Sequence, residues 1–299
     1  RLNMSIIRSA SGVFYAVLSS ATFGLIPLFS IPLLAYGIGS PTILFYRFVL
    51  AAAIMGFVML ISGRSFSLKR EVVGRVVLLA LLYAATAILL LESYKYIPSG
   101  VATTIHFLYP LAVTLVMSFI FREPMGVGIY ISVVMSLAGV ALLAWGNHSE
   151  GDFPRGVSLA LLTVVTYAAY IIGIMKSRVA SINAVVLTFY MLLFGAIFFF
   201  LYALTSEGIE VVHRWSDWRD LLMLAVVCTV LSDLTLVMAI KRIGSTLTSI
   251  LGSMEPLTAV IIGVVYFGET LDMASVAGLM MVIMAVIIVI IASGRRAKV

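Results

Sequence analysis

KYIPSGVATTIHFLYPLAVTLVMSFIFRE, residues 95 to 123, comes back in altered form as KRIGSTLTSILGSMEPLTAVIIGVVYFGE, residues 241 to 269. A shift of 146 lays Lys95 on Lys241, Ile97 on Ile243, Ser99 on Ser245, Pro110-Leu111 on Pro256-Leu257, Phe121 on Phe267 and Glu123 on Glu269. A shift of 144 does the same upstream: Gly12-Val13 falls on Gly156-Val157, Thr22 on Thr166 and Phe45-Tyr46 on Phe189-Tyr190. The two-residue difference is absorbed in the loops between. The chain is therefore one unit written twice, residues 1–150 and 151–299, and such repetition sets the fold before any other feature is weighed.

Composition names the solvent. The chain is 63% hydrophobic and 11% charged, against about 25% charged in a soluble domain. Apolar runs cover 12–36, 41–62, 73–94, 98–121, 127–146, 156–175, 183–205, 218–240, 244–267 and 273–292. Runs near 20 residues fit membrane helices; barrel strands would be about 10 residues with strict alternation. The expectation is an all-α membrane protein of ten transmembrane helices. Five helices per repeat is an odd number, so the second repeat enters the membrane inverted, the usual arrangement for alternating access.

With both termini cytosolic, the inner side holds Arg1, Arg8, Arg64, Lys69, Arg70, Arg75, Arg122, Lys176, Arg178, Lys241, Arg242, Arg295, Arg296 and Lys298, which is 14 of the 19 basic residues. That asymmetry follows the positive-inside rule. The lead-in RLNMSIIRSAS lacks a cleavable signal pattern. A formal charge of +6 is scattered over helix ends, not gathered into a stripe, so nucleic acid is excluded as a partner. The single Cys228 offers neither a disulfide nor a metal cluster. No phosphate loop, zinc-binding helix or nucleophile elbow is present, which argues against an enzyme and against a cofactor.

The candidate chemistry lies where the repeats disagree. Pro110 sits about 18 Å into its span at about 1.5 Å per residue, near the middle of a ~30 Å hydrocarbon core, and Pro256 reaches a similar depth from the other side. Each proline removes a backbone hydrogen bond and permits a bend. Pro110, Pro256 and Pro27 in the first span are candidate hinges, or packing kinks. His106 and Tyr109, three apart on one face, stand opposite Gly252 and Glu255. A carboxylate at mid-membrane must face a cavity or a partner; Glu255 is a substrate or proton site, or the ion-pair partner of a residue such as Arg47. Arg47, beside Tyr46, either binds a carboxylate bidentately or snorkels to the nearby outer surface, and the structural reading is preferred. Tyr83, Tyr170 and Tyr190 join the substrate-contact set, because a phenol inside a span needs a partner or water; Asp233 joins it as an acceptor for a substrate amine, or else pairs helices, and Ser253 lines the passage or packs.

These features resemble the drug/metabolite transporter superfamily, EamA-type branch. Within it LYPLAVTLVMSFIFREP (108–124) and SMEPLTAVIIGVVYFGE (253–269) are most similar to bacterial aromatic amino-acid exporters of the YddG type. The resemblance implies a bacterial inner-membrane exporter of amino acids and related small metabolites. Its central cavity would be framed by spans one, three, four, six, eight and nine. Glu123 and Glu269 match the family motif and, at helix ends, read as caps. Tyr109 stands where the second repeat has Glu255, so a mechanism needing paired acids is not supported. The expected partners are a small-molecule solute, lipid and protons, in a monomer or homodimer. A passive facilitator, an exporter of other metabolites or drugs, and a non-transporting sensor or scaffold are the competing readings.

Overall fold

The computed structural model describes residues 2–122, 127–146, 152–206, 208–252, 254–270 and 272–294. Its helices are α1 (Leu2–Phe23), α2 (Ile26–Ala35), α3 (Ser40–Ile61), α4 (Arg70–Ser93), α5 (Ser99–His106), α6 (Tyr109–Phe121), α7 (Val127–Gly146), α8 (Phe153–Lys176), α9 (Ala184–Thr205), α10 (Trp215–Ala225), α11 (Ser232–Leu251), α12 (Met254–Phe267) and α13 (Met273–Gly294). A π-helical turn, Val226–Leu231, joins α10 to α11. Among the described residues there is no strand. Seven segments are long and apolar enough to cross a membrane: Ser11–Ala35, Ser40–Ile61, Arg70–Ser93, Ser99–Ile120, Phe153–Ile174, Ala184–Thr205 and Trp215–Ile243. Met254–Phe267 and Met273–Ala285 are shorter apolar helices. The chain is an all-helical, multi-pass membrane protein.

Helix breaks stand where the prolines require them. α1 gives way to α2 just before Pro27, α5 to α6 before Pro110, and α11 to α12 before Pro256. Pro256 lacks the N–H that would bond the carbonyl of Gly252 in a continuous helix. That carbonyl accepts instead from the Glu255 N–H at 3.0 Å, and Ser20 of α1 adds its hydroxyl from another element at 2.7 Å. The helices meet closely here: a Cβ on Gly24 would lie 2.6 Å from the Glu255 carbonyl oxygen and 2.6 Å from Thr258.

The duplication is written in the packing. α4 packs on α8 as α11 packs on α1, and α3 pairs with α9 as α7 pairs with α13. Gly156 sits against Ile97 and Gly12 against Ile243, which are the same two positions in each repeat. Thr86 and Thr166 share a hydrogen bond of 2.7 Å, and their counterparts Ser232 and Thr22 share one of 2.5 Å. Arg155 lies over Tyr96 at 4.9 Å and Arg242 over Tyr15 at 4.5 Å, so this interface keeps a cation–π contact with the roles exchanged. In the α7/α13 pair, a Cβ on Gly139 would meet the Gly278 carbonyl at 2.9 Å; the small residues of these helices serve contact within the chain.

The symmetry fails at one junction. In the first repeat α4 ends at Ser93 and a turn precedes α5, with Pro98 extended at ψ 141°. In the second, α11 runs without interruption from Ser232 to Leu251, through the point where the apolar pattern predicts a loop at 241–243. Pro98 biases the residue before it away from the helical region and offers no N–H. Its counterpart is Gly244, which weakens a helix without stopping it.

The two ends of the bundle are tied separately. At one, Arg178 reaches Glu71 at 3.4 Å, and Lys241 donates to the Ile182 carbonyl. At the other, the segment after α9 folds over the start of α3, where Glu210 accepts from the Gly39 N–H at 2.9 Å.

Candidate functional site

The joints put three of the expected residues together. His106 is the last residue of α5, Tyr109 the first of α6 and Glu255 the second of α12, and α5 packs on both α12 and α8. All three are buried. His106 Nε2 lies 3.9 Å from Glu255 Oε1, ion-pair distance but beyond a hydrogen bond. On its other side His106 Nδ1 is 2.7 Å from Thr163 Oγ1. The single hydroxyl proton of Thr163 is committed to the Ala160 carbonyl, 2.6 Å away, so Thr163 accepts and Nδ1 carries the hydrogen. In the neutral ring Nε2 then presents its lone pair to the Glu255 carboxyl. The pair has room for one proton between them.

An aromatic chain runs on from the histidine. His106 and Tyr109 each contact Tyr167, at ring-centroid distances of 5.0 and 4.7 Å. Tyr167 continues to Tyr170 at 5.5 Å, and Tyr170 stacks on Tyr83 at 5.3 Å. Phe48 and Phe199 extend the series. α8 supplies Tyr167 and Tyr170 three apart, hence on one face. Among the described residues, the buried hydroxyls of Tyr83 and Tyr170 and both carboxyl oxygens of Asp233 make no hydrogen bond of ordinary length, though Tyr83 and Asp233 stand close to each other. Such groups are costly to leave unpaired, and they lie together in the region that links α4, α8 and α11.

Arg47 is placed differently from the expectation. It does not snorkel; it is 4% exposed and points inward from α3. Nε donates to Thr229 Oγ1 at 2.6 Å and one Nη to the Cys228 carbonyl at 3.3 Å. Both acceptors belong to the π-helical turn, whose wider winding breaks the ordinary i to i−4 pattern. Among the described residues no carboxylate comes within 4 Å of Arg47, so the anticipated Arg47–Glu255 ion pair is not formed.

Arg47, His106, Glu255, Tyr83, Tyr167 and Thr86 line one small cavity, closed on its apolar side by residues such as Phe23, Ile26 and Leu91. Its volume is about 30 Å³, where one water needs ~10–15 Å³. No amino acid fits in this conformation.

Tyr170 and Asp233 stand behind the cavity wall. Tyr190 is elsewhere: its hydroxyl donates to the Phe66 carbonyl in the α3–α4 connection, at the end of the bundle that holds Arg178. Ser253 and Glu123 lie outside the described residues. Glu269 does cap: Oε1 accepts from the Ser99 N–H at 3.0 Å and from the Ser99 hydroxyl at 2.7 Å. Sequence reasoning missed Thr163 and Thr229. Neither differs from the many packing hydroxyls of membrane helices until its partner is known.

Two related helical halves enclosing a polar cavity define a class: membrane proteins built on an internal repeat. The chain belongs to the EamA-like transporter family, whose pattern matches residues 10–145 and again 154–291. The threonine/homoserine exporter RhtA of Salmonella typhimurium strain SL1344 is 29% identical over 194 residues, covering 64% of this chain and 63% of the relative. RhtA of strain LT2 gives the same figures. The aligned region thus spans under two thirds of the length of these curated relatives. A solved crystal structure covers 98% of this chain and 99% of its own, with a TM-score of 0.68 at 18% identity; that likeness is one of fold.

Proposed function

We propose that the protein is a secondary carrier that exports amino acids, aromatic ones foremost, and related small metabolites across the bacterial inner membrane by alternating access. In this reading the chain forms ten spans, five in residues 1–150 and five, inverted, in 151–299, with both termini in the cytosol. The carrying observation is the buried Glu255–His106 pair lining a cavity between the repeats. Membrane-buried ionisable groups are expensive and mark solute or proton paths. Glu255, His106, Tyr109 and Tyr83 are the first contacts for the solute. Tyr170 and Asp233 become reachable when the cavity widens, and Pro27, Pro110 and Pro256 are the hinges. Ser253 and Tyr190 have no part assigned by the cavity. The similarity to threonine/homoserine exporters supports amino acids as the cargo class, and the tyrosine-rich wall favours flat side chains.

Counterflow of labelled phenylalanine and threonine into proteoliposomes tests this. Wild type is expected to give saturable flux that responds to an imposed pH gradient, and Glu255→Gln to lose that response with flux reduced at least about tenfold, the scale of one lost charged contact. Flux indifferent to the gradient makes the protein a passive facilitator. No flux of any amino acid sinks the proposal in favour of a sensor or scaffold.

A further inference from the structure

Among the described residues no acid lies within contact of the buried cation Arg47, although Asp233 is near enough to feel its charge; Arg47 shares a cavity of about 30 Å³ with the buried acid Glu255. A charge withdrawn from water is expected to be paired. Among the described residues the guanidinium bonds through Nε and one Nη, to Thr229 and the Cys228 carbonyl; its remaining N–H groups are left for the cavity it lines. Thr229 is itself fixed, donating its hydroxyl to the Leu224 carbonyl at 2.7 Å. The π-helical turn thus holds the planar fork from behind. Across the cavity Glu255 has the His106 ring as its neighbour, Nε2 lying 3.9 Å from Oε1. One cation comes from the first repeat and one anion from the second, with apolar Phe23, Ile26 and Leu91 beside them.

Resting on the transport reading above, we propose that Arg47 receives the α-carboxylate and Glu255 the α-ammonium of the solute, so the cargo is zwitterionic amino acids as a class. Thr229 is a positioning residue for Arg47. Guanidinium and carboxylate match as two parallel hydrogen bonds, which an ammonium side chain cannot reproduce. An amine without a carboxylate leaves the Arg47 fork without a bidentate partner, and an acid without an ammonium leaves Glu255 with only the His106 ring beside it. Sites built for a charged or hydrogen-bonding group reject the analogue that lacks it far more strongly than they reject a missing methylene. The solute's side chain lies toward the Phe23 and Leu91 wall, which sets no charge requirement, so side-chain selectivity is loose and backbone selectivity tight.

The test is competition against phenylalanine counterflow in proteoliposomes by phenethylamine, which lacks the carboxylate, and N-acetylphenylalanine, which lacks the ammonium. For wild type both competitors are expected to be at least about 100-fold weaker than phenylalanine. Arg47→Gln should erase the penalty for the missing carboxylate to within about threefold while keeping that for the missing ammonium. Thr229→Val, which retains the cation but removes its anchor, should raise KM about tenfold, the scale of one charged hydrogen bond, with kcat within about twofold. It is read if Arg47→Gln fails to fold. Equal competition by phenethylamine in wild type, or a Thr229→Val protein with unaltered KM and carboxylate preference, overturns the assignment while leaving the carrier reading intact. Wild type that moves no amino acid removes both.

Discussion

At the scale of single residues, the polar groups near mid-bundle divide into those satisfied by the protein and those left open. Ser20 belongs to the first kind: with the Glu255 N–H it satisfies the Gly252 carbonyl that Pro256 cannot bond. Ser20→Ala is expected to lower stability by about 1 kcal/mol, read as a fall in the thermal midpoint in detergent, with counterflow KM unchanged. A shift in KM with no loss of stability would contradict this role. Glu255, His106 and Tyr109 were legible in the sequence because the repeat supplies its own control, and a position that differs from its counterpart stands out. Arg47 was not legible, since depth in a helix does not say which way a long side chain turns. Only the acceptors on the π-helical turn, 181 and 182 residues downstream, draw it inward.

At the scale of elements, the joints were readable from proline and the continuity of α11 was not. Three prolines announced three breaks, yet a predicted loop at 241–243 is helical because Gly244 replaces the proline that stops its counterpart. Gly244→Pro should end α11 early and leave residues 245–251 exchanging amide hydrogens faster, by hydrogen–deuterium exchange; unchanged protection there would mean that packing, not the missing proline, ends or extends this helix. A second joint depends on Gly263. A Cβ there would lie 2.2 Å from Glu269 Oε2, so the glycine makes room for the carboxylate that caps α5. Glu269→Ala and Gly263→Ala should each cost about 1 kcal/mol, and together scarcely more than either alone. A fully additive double mutant in thermal unfolding would separate the two.

At the scale of the whole molecule, the repeat was plain in the sequence, and its contacts reproduce it pair by pair: Gly12 on Ile243 with Gly156 on Ile97, and Thr22 with Ser232 as Thr166 with Thr86. Which contacts form could not be read from either copy, because each repeat buries most of its face against the other. The two tied ends carry the topological expectation. In a Cys228→Ser background, Arg214→Cys should react with a membrane-impermeant maleimide in intact cells and Arg178→Cys only after permeabilisation. Labelling of Arg178→Cys from outside would invert the proposed orientation.

The cap on α5 bears on how the protein is made. Ser99 and Glu269 are 170 residues apart, and synthesis proceeds at about 5–20 residues per second, so the donors at Ser99 wait on the order of ten to thirty seconds for their acceptor. During that time α5 is in or near the bilayer with its leading amide uncapped. A chain that stalls before Glu269 therefore carries an unfinished helix end at Ser99.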